Sequence, residues 1–241
     1  MGFNLMQNFN RPYIAKSVAE FWKRWHISLS TWFKDYLYIS LGGNRSHFLI
    51  WQFNLFITFF VSGLWHGANW TYIIWGSLNG FYLICSNILD KTKLLGLLFP
   101  KKIKYPSFLN FINVTFTFFL ICFSWIFFRA KGLEEAKYIA LNCFRGWSEP
   151  LRYIKQNGFM AIADNTFLGI NIPTIDTLSF LFSCSLIIFL LFAENKMGNN
   201  PIYSYLQRKK WQFRWAAYYF LIISIITFGV YGENQFIYFQ F

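Results

Sequence analysis

The chain has 241 residues, 56% hydrophobic, 24% aromatic and only 13% charged, where soluble domains carry about 25% charged residues. With its positive mean hydropathy, this composition excludes an ordinary soluble fold and points to an all-α polytopic membrane protein with one helical bundle. The formal net charge of +12 lies mostly in short loops between apolar runs, as the positive-inside rule expects, and there is no basic patch with a recognition motif, so no nucleic acid is expected as a partner.

The first residues, MGFNLMQNFNRPY, do not read as a signal peptide, because a basic start, an apolar core and a small-residue cleavage site are all missing. SVAEFWKRWHISLSTWF (residues 17–33) reads as one amphipathic helix opened by a capping box, Ser17 with Glu20 three residues later. At about 100° per residue, Trp22, Trp25, His26, Leu29, Trp32 and Phe33 share one face. Lys23, Arg24, Ile27, Ser28 and Thr31 fall on the other. That cationic, hydroxyl-rich face suits phosphates or a headgroup surface. His26, on the aromatic face, reads from these residues alone as a hydrogen-bonded core histidine. Gly42-Gly43-Asn44 is turn chemistry joining two helices, with Arg45 at the cytoplasmic boundary and His47 a solvated loop residue.

Five segments are apolar enough to span or enter a bilayer: Phe48–Ser62, Ala68–Leu89, Leu109–Phe128, Leu178–Ala193 and Trp215–Tyr231. A full span needs roughly 20 residues, so the first and fourth are expected to be tilted, broken or shielded by neighbours. Basic regions at 11–45, 90–108 and 194–214 alternate with the glycine-rich break around His66 and with the nearly charge-balanced segment 129–177. The alternation predicts basic loops on the cytoplasmic side, His66 approached from outside, and an outward C-terminus. Within the long outer segment, LEEAKYIALNCF (residues 133–144) has helical apolar spacing. It reads either as an interfacial amphipathic helix or as a cap over the bundle. Cys85, Cys122, Cys143 and Cys184 stand singly, so neither a disulfide framework nor a thiol-ligated metal is expected.

The stretch VSGLWHGANW (residues 61–70) is the one place where an ionisable side chain stands beside membrane-length apolar runs, a costly position that usually lines a cavity or pathway. Gly63 and Gly67 permit close backbone approach, Trp65 and Trp70 supply rigid walls, and Asn69 adds a donor and an acceptor. Imidazole suits proton transfer near neutrality. The residues alone leave His66 between a functional group and a buried structural histidine. Three histidines without clustered carboxylates predict no metal site. Ser62 precedes His66 by four residues, but no third group completes a triad.

NFNRPYIAKSVAEFWKRWHISLSTWFKDYLYISLGGNR, then GLWHGANWTYIIWG, FSWIFFRA and the C-terminal FIYFQF resemble the membrane-bound O-acyltransferase (MBOAT) family. They are most similar to the bacterial branch that holds the alginate O-acetylation and teichoic-acid D-alanylation membrane subunits, the acetylating subunits above all. The resemblance covers nearly the whole chain and includes the forty-residue separation of His26 and His66. It implies a helical bundle with re-entrant segments, entered by a funnel from each side of the cytoplasmic (inner) membrane. His66 would be the catalytic base and His26 the second required histidine, which reverses the core reading of His26. No cofactor would be bound. Acetyl-CoA or another acyl thioester would be the donor, with Lys23, Arg24, Lys34 or Arg45 meeting its anionic part and Trp65 and Asn69 close to substrate. The implied partners are membrane lipid, an extracytoplasmic acyl-accepting protein and a polysaccharide acceptor.

Family members are roughly twice as long, so residues 1–241 are expected to be the C-terminal part of the acyltransferase domain. Ser40 stands where proline is common, and Asn79-Gly80 where a second His-Gly often stands, a change expected to be neutral. The competing expectation is a truncated, non-catalytic membrane scaffold that docks an extracytoplasmic partner.

Overall fold

The computed structural model describes residues 6–92, 106–145, 155, 177–197 and 206–228, and among these residues all regular structure is helical. The chain forms two units, Met1–Phe144 and Arg145–Phe241. The first unit contains both signature histidines.

Its frame is a hairpin of α3 (Phe48–His66) and α4 (Trp70–Thr92), joined by α5 (Pro106–Arg129). These are the three helices among the described residues that are long and apolar enough to cross a membrane. The hairpin closes on small residues. A Cβ on Gly63 would lie 2.4 Å from the Tyr72 carbonyl oxygen, and one on Gly76 would lie 2.3 Å from the Phe59 carbonyl oxygen. Without an apolar driving force between helices inside a bilayer, such close backbone packing is a main source of association. At the far end of the hairpin, the Lys91 ammonium sits 3.7 Å from the Phe48 ring centroid, and Asn87 Nδ2 donates to Gln52 Oε1 (3.1 Å). α5 starts with Pro106 at a position where its missing N–H is no loss and ends on Arg129, which suits the negative end of the helix dipole.

Residues 17–33 do not form the single helix expected from their pattern. α1 (Val18–Arg24) ends at Trp25, and α2 starts at Ile27 and runs to Phe33. Between them His26 adopts a left-handed conformation, φ 44° and ψ 55°, which is uncommon for a residue with a side chain. A strap from residues 8–10 holds the break. The Ile27 N–H donates to the Asn8 carbonyl (2.9 Å), the Ser28 N–H donates to Asn8 Oδ1 (3.0 Å), and the Asn10 N–H donates to the Arg24 carbonyl (2.9 Å). Asn8 thus satisfies donors that the break leaves at the start of α2.

The expected cap on α1 is present, with the Glu20 N–H donating to Ser17 Oγ (3.1 Å). The Glu20 carboxylate reaches one residue further back, accepting from the Lys16 N–H (2.7 Å), and also pairs with Arg24. Burial pushes the Glu20 carboxyl up, but the Lys16 N–H and the Arg24 guanidinium outweigh it and hold the group below its ordinary value.

After α2 the chain makes a π-helical turn (Lys34–Tyr38) and a 3-10 turn (Gly43–Arg45) before α3. Asn54 of α3 donates to the Leu41 and Gly43 carbonyls (2.9 and 3.3 Å), pinning the glycine turn to the frame. α1 packs on α4 and α5 through a core of Ala15, Val18, Phe21, Leu83 and Ile121.

α6 (Leu133–Asn142) seats Ala136, fully buried, against the frame and leaves Leu133, Tyr138, Leu141 and Phe144 exposed. In the second unit, α7 (Thr177–Met197) and α8 (Trp211–Phe228) cover the fourth and fifth expected segments. The apolar stretch of α7, Leu181–Ala193, is shorter than a span. Of the five expected segments, the first three therefore meet the length and apolarity of a full span. The first does so because its helix continues past Ser62 to His66. FIYFQF at the C-terminus and the basic stretch 93–105 lie outside the described residues.

Gly76→Ala is expected to lower stability by about 1–3 kcal/mol, since the added methyl meets backbone rather than a yielding side chain. Gly132→Ala, where nothing lies within 4 Å of the new Cβ, should cost clearly less; thermal unfolding in detergent compares the two. Asn8→Ala is expected to cost about 0.5–2 kcal/mol, the range for a lost helix cap, with Asn8→Asp retaining most of the stability in the same assay.

Candidate active site

The position of His66 follows from how α3 ends. Gly67 takes φ 150° and ψ 153°, a conformation that L side chains rarely adopt, and its N–H donates to the Leu64 carbonyl (3.1 Å). Asn69 then caps α4. Its Oδ1 accepts from the Thr71 N–H (3.2 Å), and its carbonyl accepts from the N–H groups of Tyr72 and Ile73. The turn is therefore tight, and it folds α4 directly over the last residue of α3.

His66 is 8% exposed and stands in an aromatic box. Its ring lies 5.1 Å from Trp75 at 87°, 5.1 Å from Phe128 at 83°, and 4.9 Å from Trp65 at 80°, centroid to centroid. Tyr72 closes a further side at 6.4 Å. α3, α4 and α5 each contribute a wall. Such edge-to-face pairs suit the charge distribution of aromatic rings, and together they keep water from the imidazole.

His26 lies at a break whose neighbours reach the same box, with Trp22 packed on Trp75 and Phe33 on Trp65. It is half-buried, near the Phe9 ring (6.1 Å), with its Nδ1 3.4 Å from Ser28 Oγ. The residues around it pack inward on different partners, Trp22 on Phe59 and Trp75, Trp25 on Trp125, and Phe33 on Trp65. Trp32, expected on the same aromatic face, is 51% exposed. The break at His26 is the reason, because it changes the direction of the helix after Trp25. α1 and α2 consequently lie alongside the membrane-length helices, level with His66.

The other predicted site residues do not gather around His66. Trp65 does touch it, while remaining 55% exposed. Asn69 is exposed and occupied as a helix cap. Arg24 is engaged by Glu20 and by the Arg11 carbonyl (3.4 Å). Lys34 pairs with Asp35 at 3.3 Å. Lys23 and Arg45 are exposed. The turn carrying Arg45 is held to α3 at Asn54, twelve residues and so roughly 18 Å along the helix from His66. Lys91 marks one end of the hairpin, and His66 the other.

Three residues that matter here carried no sequence signal strong enough to single them out. Asn79, expected to be neutral, is completely buried. It accepts from Trp22 Nε1 (3.2 Å) and donates to the Trp75 carbonyl (2.9 Å), tying α1 to α4. Trp75 and Phe128 form two walls of the histidine box. The visible trace was the four-residue spacing of Thr71, Trp75 and Asn79, which puts them on one face of α4.

The chain has relatives among known proteins. The profile of the membrane-bound O-acyltransferase family matches residues 4–128. The chain is 47% identical over 149 residues to "Probable alginate O-acetylase AlgI" of Pseudomonas aeruginosa, covering 61% of this chain and 26% of that protein. It is 45% identical over 130 residues to the peptidoglycan O-acetyltransferase of Helicobacter pylori (54% and 23%), and 31% identical over 145 residues to the teichoic acid D-alanyltransferase of Bacillus subtilis (56% and 35%). The matches span about a quarter to a third of the length of these relatives. The matched region contains α1 to α4 and almost all of α5, with both histidines and every wall of the aromatic box, and on that match the chain belongs to the membrane-bound O-acyltransferase family.

Proposed function

We propose that this chain supplies the histidine-bearing part of a membrane O-acyltransferase that transfers acetyl from a thioester donor to hydroxyls of an exported or cell-envelope polysaccharide. The observation that carries the reading is His66 held in an aromatic enclosure at one end of a membrane-length hairpin, with the second signature histidine, His26, at a helix break whose neighbours Trp22 and Phe33 pack on Trp75 and Trp65 of that enclosure. Acetyl is favoured because the matches to O-acetylating relatives are stronger than those to D-alanylating ones.

In this reading the donor, acetyl-CoA or a related acyl thioester, approaches from the end marked by Lys91, which is cytoplasmic by the positive-inside rule. The acceptor approaches His66 from the other side of the inner membrane. His66 removes the proton of the acceptor hydroxyl as that oxygen attacks the thioester carbonyl. His26 positions and polarises the same locus. The aromatic walls exclude water, which keeps the thioester from hydrolysis. The immediate acceptor is a hydroxyl of an extracytoplasmic partner protein that passes the acyl group to the polymer.

The test is the ester-linked acetate that mild base releases from envelope and exported polysaccharide. Cells would carry the wild-type protein, His66→Ala or His26→Ala at matched membrane abundance. Wild type is expected to restore the ester and His66→Ala to lose about 10²–10⁴-fold in transfer rate, the usual contribution of a positioned base. Restoration by His66→Ala at the wild-type rate would remove the base assignment and favour a scaffold that only docks the partner.

A further inference from the structure

Among the described residues, the indole N–H groups of Trp75 and Trp125 and the hydroxyl of Thr71 are buried without a hydrogen-bond partner. Trp75, 2% exposed, touches the proposed base edge-on, and Trp125 stands behind it, against the Trp75 (6.1 Å) and Phe128 (5.2 Å) walls. Thr71 lies one turn before Trp75 on the same face of α4. Trp22 belongs to the same aromatic cluster, yet its N–H is taken up by Asn79. Unpartnered buried polar atoms also occur away from this site, at Arg11, Trp51 and Gln52; those of Trp75, Trp125 and Thr71 belong to the helix faces whose rings converge on His66. Burying an N–H without an acceptor costs stability, and a position that needed only aromatic bulk would be served by phenylalanine, as it is at Phe59 and Phe128.

We propose that the N–H groups of Trp75 and Trp125 are catalytic donors to the acyl carbonyl oxygen of the thioester and hold the negative charge that develops on it. This rests on the acyltransferase reading above. The acceptor hydroxyl gives its proton to the His66 imidazole while its oxygen bonds to the acyl carbon. The carbonyl π pair moves onto oxygen, where the two indoles hold it. Its return breaks the carbon–sulfur bond, and the departing thiolate takes the proton from the imidazolium, leaving ester and free thiol. Donors fixed by packing in a water-free site need no reorganisation as the charge appears, the condition under which such stabilisation is largest.

The experiment uses membranes of the native cells, which hold the full-length protein together with its acyl-accepting partner and polysaccharide, supplied with labelled acetyl-CoA. Trp75→Phe and Trp125→Phe keep an aromatic ring and remove the donor. Each is expected to lower kcat by about 10²–10³-fold, the usual loss for one such donor, with KM for acetyl-CoA little changed. Their Tm is expected to fall less than that of Trp22→Phe, because the loss of an unpaired buried donor offsets part of the cavity that the smaller ring leaves. Trp22→Phe, which strands the Asn79 oxygen, should lower Tm most. Unimpaired kcat in both Phe variants of an active wild type overturns this inference alone. A fall in Tm as large as that of Trp22→Phe, with kcat and KM changing together, also overturns it, since it assigns the indoles to packing. A wild type that forms no ester overturns the acyltransferase reading, and this inference with it.

Discussion

Two glycines facing each other across the α3–α4 hairpin set the distance on which the site depends. Gly63 lies one turn before His66, and Gly76 follows Trp75 directly. With no side chain between the backbones, α4 comes near enough for the Trp75 ring to stand 5.1 Å from the imidazole. The α3–α4 turn adds a second constraint, since Gly67 and the Asn69 cap allow only three residues between the helices. Together they hold the histidine in place through backbone geometry, before any hydrogen bond to its ring is considered. A base held by packing keeps its ring free to take and return a proton.

The second histidine is placed by a different device. His26 occupies a left-handed backbone conformation at a helix break, which is tolerated because residues 8–10 satisfy the broken ends. Polar backbone groups inside an apolar assembly carry a heavy cost when unpaired, so the strap and the break stabilise each other. After the break Phe33 of α2 reaches Trp65, while α1 remains tied to α4 through Trp22 and Asn79. The two signature histidines, forty residues apart in the chain, each sit at a helix end that terminates in a defined way.

The site is unusual for group-transfer chemistry in how little of it is charged. Its walls are indole and phenyl rings; Lys91 lies at the opposite end of the hairpin, Arg24 and Lys34 are held in local ion pairs, and Arg129 follows the Phe128 wall directly. A thioester attacked by a hydroxyl needs protection from water more than it needs a strong field. An aromatic enclosure provides that protection while the ring N–H groups retain some polarity.

Composition, the apolar runs and the loop charges were enough to identify a helical membrane protein and to place the membrane-length helices within a few residues, because burial in lipid demands long apolar stretches whatever the fold. His66 and His26 stood out locally, the first as an ionisable group among apolar residues and the second within a signature shared with a known family. The helix break at His26 was invisible, since the pattern of residues 17–33 is continuous and the groups that hold the break open lie at Asn8 and Asn10. Asn79 was equally hidden, because its importance is a single hydrogen bond to Trp22, 57 residues away. The predicted cluster of cations dispersed for the same reason: sequence shows charge, but only the packed chain decides whether Arg24 is free or held by Glu20. Local pattern determined which segments are helices and which residues are chemically capable. Contacts between segments remote in the chain decided where those helices end, and therefore which side chains meet around His66.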